Sequence, residues 1–386
     1  MKRYCKNVNI LDFEFLQFCA GECLRKKWKR RDVLEYFSTL TGRSKEDVLH
    51  AINNGEKQAL ITIAAHHMQK QLAKRELRFV PIWYKEKIDA SNHKLRRIGI
   101  QHVSQQLYDY VAVWAMQDML KRIGEYQCAS IPGRGPYYGM KHACKWLKQK
   151  SIKYVAQLDV RKCFPSIPQD KLLAFIDKYV ANDDIKWLVH ELVGTFDVGL
   201  SIGSYLSQYL CNLYMSQLYH EISENMYYER RGKRIGYISH VLFYMDDILL
   251  LGKNAKTMHL AVDKIIEYSR DRMGLEIKQT WNVRKVKGMD FIDTMGFRIY
   301  RDHVTIRRRV FLRVRRAYKK PTKHRYCKIT LKQAQKCTSY FGTIKGTNSI
   351  RFAKKYHVYK TIKLSKEVVS HESKLRCRTA CCKICA

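Results

Sequence analysis

The spacing of hydrophobic residues divides the chain into a helical first segment, a mixed middle segment and a basic last segment. Along residues 1–75 apolar positions recur at spacings of three and four, which predicts amphipathic helices. Ser44 precedes an acidic turn there, as helix N-caps do. Beyond residue 76, short apolar runs separated by Gly, Pro and Asn predict strands between helices. We therefore predict an α+β protein with segments at 1–75, 76–300 and 301–386.

One stretch of the middle segment combines strand-like apolar runs with adjacent carboxylates. The stretch is HVLFYMDDILLLG, in which Val241–Tyr244 and Ile248–Leu251 are predicted strands. Asp246 and Asp247 form the predicted turn between them. Burial penalises each carboxylate and the two like charges repel each other, so the pair favours a divalent cation such as Mg²⁺. The alternative is an ordinary hairpin turn, because aspartate suits turns in general.

A third carboxylate stands upstream in YVAQLDVRKCFPSI, residues 154–167. A short apolar strand ends there at Asp159, and Phe164 follows five residues later, just before Pro165. An isolated aspartate at a strand end is usually a cap or a turn residue. Its position at the end of a strand agrees with the later Asp pair, so we expect the three carboxylates to act together.

A basic strand–turn–strand pattern precedes these motifs at residues 79–100. Side chains alternate between the two faces of a strand, so Lys94 and Arg96 are predicted to share one face and Arg97 to lie on the other. Two cations on one face can hold a triphosphate. The alternative is a solvated basic hairpin. Further along, Gly203 would let the backbone approach a substrate closely.

Charge restricts the classes of partner. The net charge is +38 with a pI of about 9.8, and a hydrophobic content of 46% excludes a disordered basic tail. Nucleic acid is the partner that such a charge favours, ahead of an anionic membrane surface. The sequence has no run of eighteen apolar residues and its start has no apolar export region, so we predict no membrane association and a cytoplasmic protein. The 13 cysteines are scattered and odd in number, which favours reduced thiols.

The last segment is lopsided in charge. Residues 301–386 contain 25 Lys and Arg against 3 Asp and Glu, with aromatic residues between the cations. This interleaving suits phosphate contact and base stacking along a nucleic acid. The tail CRTACCKICA has a single C-x-x-C unit, Cys382 to Cys385, whereas zinc sites usually pair two such units. We therefore favour a reduced tail over a metal site.

The order of these segments, from Phe79 to Lys355, resembles the sequence blocks of reverse transcriptases. KLRRI resembles the fingers block, LDVRKCF block A, GLSIGSYLSQ block B and FYMDD block C. LEIKQTW resembles block D, and FIDTMGFRIY resembles the block that grips the primer. The resemblance implies a right-hand polymerase fold with fingers, a palm with an antiparallel sheet and a helical thumb. Residues 1–75 would form a helical N-terminal extension.

The activity implied by the resemblance is that of an RNA-directed DNA polymerase, a nucleotidyltransferase that makes cDNA from an RNA template. Its substrates would be dNTPs and a DNA or RNA primer. Two Mg²⁺ ions about 4 Å apart, or Mn²⁺ in their place, would stabilise the attacking and leaving oxygens.

The resemblance also implies roles for single residues. Asp159 and Asp246 would bind both ions, and Asp247 would support the site. The backbone carbonyl of Val160 would add a metal ligand, and Lys94 and Arg96 would clamp the triphosphate. Phe164 would lie under the sugar, and Gly203 and Gln208 would lie along the nascent base pair. Lys278 would be the acid for the pyrophosphate leaving group.

Two motifs point to a bacterial group within this superfamily. SIPGRGP and the run from Ile202 to Gln208 resemble the enzymes of diversity-generating retroelements and the unassigned and phage-defence groups. Group II intron enzymes are related, but they usually carry a separate maturase region that we do not find. The resemblance implies a structured non-coding RNA as a partner and leaves room for an accessory protein.

Two other functions stay open at this point. The chain could be an RNA-binding maturase or chaperone on a polymerase fold, although a pure binder has no use for the three carboxylates. It could also be an RNA-templated RNA polymerase, although Tyr244 ahead of Met-Asp-Asp and the bulky Phe164 favour dNTPs.

Overall fold

The computed structural model describes residues 2–88, 95–287, 290–323 and 329–381. The chain forms two compact units, each built from several stretches of sequence. The first unit comprises residues 1–125, 160–220 and 265–278, and the second comprises residues 126–159, 221–264 and 279–386. No helix among the described residues combines the length and the apolar character that crossing a membrane requires.

Helices and strands alternate irregularly along the chain, as an α+β pattern predicts. The helices are α1 (Phe13–Leu24), α2 (Arg31–Thr41), α3 (Lys45–Asn53), α4 (Lys57–Lys74), α5 (Val103–Ala115), α6 (Pro136–Leu147), α7 (Cys163–Ser166), α8 (Gln169–Tyr179), α9 (Asp183–Gly194), α10 (Tyr205–His220), α11 (Ala255–Asp271), α12 (Arg308–Lys323), α13 (Leu331–Ile344), α14 (Ile350–Lys355) and α15 (Val358–Cys381). The strands are β1 (Trp83–Ile88), β2 (Leu95–Ile100), β3 (Gln127–Cys128), β4 (Tyr154–Asp159), β5 (Tyr227–Arg230), β6 (Lys233–Gly236), β7 (His240–Tyr244), β8 (Asp247–Gly252), β9 (Val283–Lys285), β10 (Ile292–Thr294), β11 (Phe297–Ile299) and β12 (Val304–Ile306).

The N-terminal helices pack on one another and on α5 through fully buried side chains such as Leu16, Phe37 and Met68. Ser44 caps α3 as predicted, and Asp47 completes a reciprocal capping box. The apolar pattern that runs without a break from residue 44 to residue 77 is two helices, not one. Gly55 takes a left-handed φ of 96° between them, a conformation that ends a helix and that glycine adopts at low cost.

The second unit is built around a five-stranded sheet with the order β3-β7-β8-β4-β9. Strand β3 runs parallel to β7, and the other neighbouring pairs are antiparallel. Val155, Leu242, Leu249 and Leu251 lie on one face of this sheet and pack into a core that also contains residues of α6 and of the sheet β10-β11-β12. The hairpin that Phe291–Tyr300 predicts is present as β10 and β11.

Two glycines of the second unit mark tight contacts of α6. A Cβ on Gly139 would collide with the sulfur of Met295, which stands in the turn between β10 and β11. Gly346, which has a left-handed φ of 77°, lies against the ring of Tyr137 at the start of α6. The helix is therefore held at two places where no larger side chain fits.

The basic last segment begins with a strand. Strand β12 adds to β11, and helices α12 to α15 follow around a core that contains Val314, Tyr318 and Cys337. The side chains of residues 372–381 and all of residues 382–386 lie outside the described structure, so the cysteines of the tail do too.

A buried carboxylate of the first unit contacts the start of α10. Asp109 is fully buried on α5 and accepts a hydrogen bond from the Ser204 hydroxyl at 2.8 Å. The same Ser204 oxygen accepts from the backbone N–H of Ser207 at 3.2 Å, in the first turn of α10. Burial raises the pKa of Asp109 to about 6, although hydrogen bonds from Ser204, Leu206 and Gln101 oppose that shift.

This pKa predicts a pH dependence of stability that Asp109→Asn removes. A carboxyl group whose pKa is raised by folding stabilises the fold below the unfolded pKa, and this contribution is lost as pH rises through about 6. Between about pH 4 and pH 7 the wild type should therefore lose about 3 kcal/mol relative to Asp109→Asn. Urea unfolding at a series of pH values measures the difference. The control is Asp263→Asn on the exposed surface of α11. If the free energy of unfolding depended on pH in the same way in the wild type and in Asp109→Asn, the raised pKa of Asp109 would be contradicted.

Candidate active site

Two of the predicted carboxylates face each other across neighbouring strands of the second unit. Asp159 ends β4 and Asp247 begins β8, and the two residues are direct partners in the antiparallel register. Side chains of directly opposite residues point to the same face of a sheet, with Cβ atoms roughly 5 Å apart. The sequence placed these residues 88 positions apart, and the strand register brings them together as predicted.

The turn of the β7–β8 hairpin holds the third carboxylate. Tyr244 pairs with Asp247, so the loop consists of Met245 and Asp246 alone. The expectation that both aspartates form the turn is therefore wrong by one residue, since Asp247 already belongs to the strand. A two-residue loop needs the residue before Asp246 to reverse the chain, and Met245 does so with a left-handed φ of 56°.

Met245 holds a conformation that glycine usually occupies. A left-handed φ costs a residue with a Cβ about 1 kcal/mol. The backbone N–H of Met245 donates to the carbonyl oxygen of Cys128 on the neighbouring strand β3, at 3.4 Å. Strand β3 therefore helps to hold the turn that presents Asp246.

The carboxylates lie at the end of a sheet face that is largely apolar further along the strands. The row before Asp159 and Asp247 consists of Gln157 and Leu249, whose partner across the hairpin is Leu242. Gln157 donates to the backbone carbonyl of Asp293 at 3.1 Å. Asp159 and Asp246 are half-buried and Asp247 is exposed. The charge is thus confined to the end of the strands, where solvent reaches it.

Tyr244 borders this cluster of charge. The pKa of its hydroxyl is raised, first by burial and then by electrostatic interaction with Cys128 and Asp247. Its half-buried ring packs against the apolar core of the sheet. Tyr244 therefore stays neutral at physiological pH beside the carboxylates.

The donor set fits a divalent cation. Like charges directly opposite on a sheet are destabilising, and a hard cation that binds both oxygens removes the repulsion. Within the described residues, no three or more His, Cys, Asp or Glu side chains are gathered closely enough to form a complete metal site. The carboxylates thus provide ligands on two adjoining strands and their turn without a preassembled cage.

The other predicted site residues that the structure describes belong to the first unit. Val160 forms an isolated antiparallel bridge with Ile277, and the half-exposed Lys278 is the next residue. Arg161 reinforces this connection, because its guanidinium contacts both carboxylate oxygens of Glu276 at 3.0 and 3.1 Å. The first unit therefore places Lys278 beside the segment that follows Asp159 in the chain.

Phe164 lies on the short helix α7 with its side chain only partly buried. Its backbone carbonyl accepts a hydrogen bond from the N–H of Leu200 at 2.8 Å. The backbone passes so close to Gly199 that an added Cβ would lie 2.6 Å from the Phe164 carbonyl oxygen, and Gly199 has a left-handed φ of 53°. The backbone of Phe164 is thus held firmly, while its ring does not form part of the buried core.

Gly203 allows a close contact within the protein itself. A Cβ at this position would collide with the carbonyl oxygen of Gly99 on β2, and its φ is 121°. The N–H of Gly99 donates to the carbonyl of Ile202 at 2.7 Å. The close approach that the sequence assigned to a substrate is therefore made by strand β2, and the contact of Gly203 with a base pair stays a prediction.

The basic hairpin β1–β2 separates its two arginines as predicted. Arg96 pairs with Lys87, and Arg97 lies on the opposite face. Arg97 is engaged by the ring of Tyr84 at 3.8 Å and by the carboxylate of Asp197 at 2.8 Å. Arg96 is exposed. Lys94 and the turn before it lie outside the described residues.

A cavity of about 590 Å³ opens beside β2 and the start of α10. Gly203 and Gln208 line it, which brings two predicted site residues together. Lys27 and Arg30 also line it, and these were not singled out from the sequence. The run RKKWKRR at residues 25–31 is a visible cluster of cations, but nothing in it shows which of them face a site some 70 residues further along the chain.

The sequence matches the family model described as reverse transcriptase (RNA-dependent DNA polymerase) over residues 85–299, more than half of the chain. The matched span contains Asp159, Asp246 and Asp247. A search of curated proteins finds no significant match.

The solved structures that the chain matches include telomerases from two Candida species. Apo telomerase from Candida tropicalis has a TM-score of 0.46 at 12% identity, with coverage of 92% of this chain and 80% of that chain. The same telomerase truncated from its C-terminal domain has a TM-score of 0.43 at 12% identity, with 70% of each chain covered. Telomerase from Candida albicans in complex with a fragment of telomeric RNA has a TM-score of 0.42 at 11% identity, with coverage of 59% and 46%. TM-scores this low carry no inference about substrates or partners.

The facing carboxylates predict a cation-dependent gain in stability. Asp159→Asn removes one of the two opposed charges, so in EDTA this variant should melt about 1–3 °C above the wild type. Mg²⁺ should raise the melting temperature of the wild type and leave that of Asp159→Asn nearly unchanged. Thermal melting with and without Mg²⁺ measures both effects, and Asp263→Asn should keep the Mg²⁺ response. An equal Mg²⁺ response in Asp159→Asn would show that the ion binds elsewhere.

Proposed function

Because this chain belongs to the reverse transcriptase (RNA-dependent DNA polymerase) family, we propose that it extends a DNA or RNA primer along an RNA template at Asp159, Asp246 and Asp247. It is an RNA-directed DNA polymerase, a nucleotidyltransferase with the α+β right-hand polymerase fold. The observation that carries the assignment of the site is the direct register of Asp159, at the end of β4, with Asp247, the first residue of β8 after the turn of the β7–β8 hairpin.

Reverse transcriptases use divalent metal ions, and Mg²⁺, or Mn²⁺ in its place, is the proposed ion here. Asp159 and Asp246 would hold it, the backbone carbonyl of Val160 would add a ligand, and Asp247 would support the site. When bound, such ions activate the primer oxygen and stabilise the charge of the leaving pyrophosphate. Hard carboxylate oxygens suit these ions, and the position of Asp159 directly opposite Asp247 supports the proposal.

The residues around the incoming nucleotide are also proposals. Arg96 and Lys94 would bind the triphosphate, Gln208 and Gly203 would lie along the nascent base pair, and Lys278 would donate a proton to the leaving pyrophosphate. Arg96 is exposed and lies on the face of the hairpin opposite Arg97.

We place this activity in a bacterial retroelement or an anti-phage defence system, in the cytoplasm. SIPGRGP and the run from Ile202 to Gln208 support that placement. A structured non-coding RNA would be a partner, with room for an accessory protein. Sequencing of the nucleic acid that copurifies with the protein tests the proposal. A heterogeneous mixture of host transcripts would contradict a dedicated RNA partner.

Primer extension tests the activity directly. Purified protein, Mg²⁺ and a primed RNA template are incubated with labelled dNTPs or labelled NTPs in separate reactions. Incorporation of dNTPs is the expected result. Incorporation of NTPs alone would indicate an RNA-templated RNA polymerase, and RNA binding without incorporation would indicate a maturase or chaperone.

Asp246→Asn should abolish DNA synthesis while RNA binding survives. The substitution removes a metal ligand from the turn and leaves the basic surfaces unchanged. Primer extension and equilibrium RNA binding are measured on the same preparation, with Asp263→Asn as a control that loses the same charge on α11. Polymerase activity retained by purified Asp246→Asn would refute the assignment of the site.

Phe164→Val should admit ribonucleotides. An aromatic ring at the sugar leaves no room for a 2′-hydroxyl, so the preference for dNTP over NTP should fall by roughly ten- to a hundredfold. Because the ring is not part of the buried core, the variant should stay folded. Phe18→Val, which removes a 47% exposed ring on α1, is the control. A folded and active Phe164→Val variant with unchanged dNTP preference would rule out the gate.

The basic face of α12 should contribute to the salt dependence of RNA binding. Arg308, Arg315 and Lys319 are exposed and lie on one face of the helix. Replacing all three with Gln should lower the slope of log affinity against log salt by about 2, since each lost phosphate contact removes roughly 0.7. The control replaces Lys253, Lys256 and Lys264, which are exposed on or near α11. An unchanged slope in the α12 variant, or an equal loss in both, would exclude a specific contact.

A further inference from the structure

The cavity beside β2 carries two cationic side chains that converge on one point. The Nζ atom of Lys27 donates to Oε1 of Gln106 at 2.6 Å, and a guanidinium nitrogen of Arg30 donates to the same oxygen at 3.3 Å. A neutral amide oxygen is a weaker acceptor for two cations than a phosphate oxygen, because hydrogen bonds between charged groups are about twice as strong. The position between the two heads therefore suits an anionic oxygen.

An aromatic wall stands next to these cations. The rings of Tyr110 and Tyr205 stack with their centroids 4.3 Å apart, and Tyr205 is 38% exposed. The ammonium of Lys27 lies 4.9 Å from the centroid of the Tyr110 ring. Exposed aromatic faces beside cations provide a platform on which a nucleic-acid base can stack, with little preference for sequence.

Amide groups complete the lining. Gln101, Gln106 and Gln208 all border the cavity. The Gln106 amide already bonds Lys27, Arg30 and the Gln101 carbonyl, so the exposed Gln208 is the amide that can donate to and accept from a base edge. The volume of about 590 Å³ lies within the range of pockets that bind small organic ligands. Cations, a stacking surface and amides together match one nucleotide.

The charge balance favours a single phosphodiester over a triphosphate. Asp32 forms two hydrogen bonds with the guanidinium of Arg30, at 2.6 and 2.9 Å, and neutralises part of its charge. The buried Asp109 also acts electrostatically on Lys27. Two cations offset by two carboxylates leave too little positive charge to neutralise a free nucleoside triphosphate.

We propose that this cavity binds an unpaired nucleotide of single-stranded RNA, with its phosphate at Lys27 and Arg30 and its base against Tyr205. The proposal rests on the proposed function, since an RNA template supplies the strand. Lys27 and Arg30 lie in the N-terminal helical segment, outside residues 85–299 that match the family model. The N-terminal extension thus contributes an RNA contact of its own.

Equilibrium binding to two RNA duplexes tests this contact without metal or nucleotides. One duplex is blunt, and the other has the same paired length and a single-stranded 5′ overhang. The full-length wild type should bind the second more tightly. In Lys27→Ala/Arg30→Ala the advantage of the overhang should fall by roughly tenfold, since both phosphate contacts are lost. Lys26→Ala/Lys29→Ala is the matched control, because it removes the same charge from exposed neighbours.

The outcomes separate the alternatives. An overhang advantage that survives in Lys27→Ala/Arg30→Ala, that falls equally in the control, or that is absent from the wild type overturns the proposal. A raised KM for dNTPs in Lys27→Ala/Arg30→Ala with the overhang advantage intact would identify a free nucleotide as the ligand and also overturn it. Failure of the wild type to extend a primer would contradict the proposed function and leave the binding result unaffected.

A second pair of variants guards against misfolding of the first. Tyr205→Ala should lose the overhang advantage, whereas Tyr205→Phe should keep it, because only the ring is needed for stacking. Thermal melting confirms that each variant is folded. Equal overhang binding by folded Tyr205→Ala and Tyr205→Phe would overturn the placement of the base.

Discussion

The repulsion between Asp159 and Asp247 is the constraint around which the second unit is arranged. Two carboxylates directly opposed on a sheet destabilise it, so the strands that carry them need support from elsewhere. The apolar rows behind the pair supply that support, since Val155, Leu249 and Leu251 are almost completely buried. The strained turn at Met245 adds to the cost and lies at the same end of the sheet. The charge repulsion and the backbone strain thus both lie at the proposed site, and the buried apolar residues along the rest of the strands compensate for their cost in stability.

In the first unit, close backbone packing holds the loop that precedes α10. Gly199 lies against the backbone of the Phe164 segment, and Gly203 lies against strand β2. At both positions the backbone takes a left-handed φ and a Cβ would have no space, so the loop before α10 packs closely on both segments. Gln208 follows this loop, near the start of α10.

The sequence predicted those features that depend on local pattern and failed where long-range geometry decides. The strands around Asp246, the cap at Ser44 and the opposite faces of Arg96 and Arg97 follow from side-chain period and residue type. The extent of the turn did not, because whether Asp247 pairs depends on the φ of Met245, which no pattern of apolar residues encodes. The site residues themselves, and the segment boundaries near residues 75 and 300, stay predictions.

The set of residues that line the cavity could not be predicted from the sequence. Lys27 belongs to one end of the chain and Gly203 to its middle, so their meeting depends on how α1 and α5 pack. Charge runs identify a segment that meets a polyanion, but they do not identify which of several neighbouring lysines turns inward. Lys26 and Lys27 are adjacent and chemically identical, yet only the second lines the cavity.

The two glycine contacts of α6 have a mechanical consequence. Tyr137 lies against the backbone at Gly346, between α13 and α14, and two residues further along α6 Gly139 lies against Met295. Neither contact leaves room for a Cβ on the glycine. Close-packed interiors of this kind transmit strain instead of absorbing it. We therefore expect a displacement of the loop between α13 and α14 to act on α6, and a tilt of α6 to act on the β10–β11 turn. In this way α6 couples the position of the C-terminal helices to the β10–β11 hairpin, which precedes them in the chain.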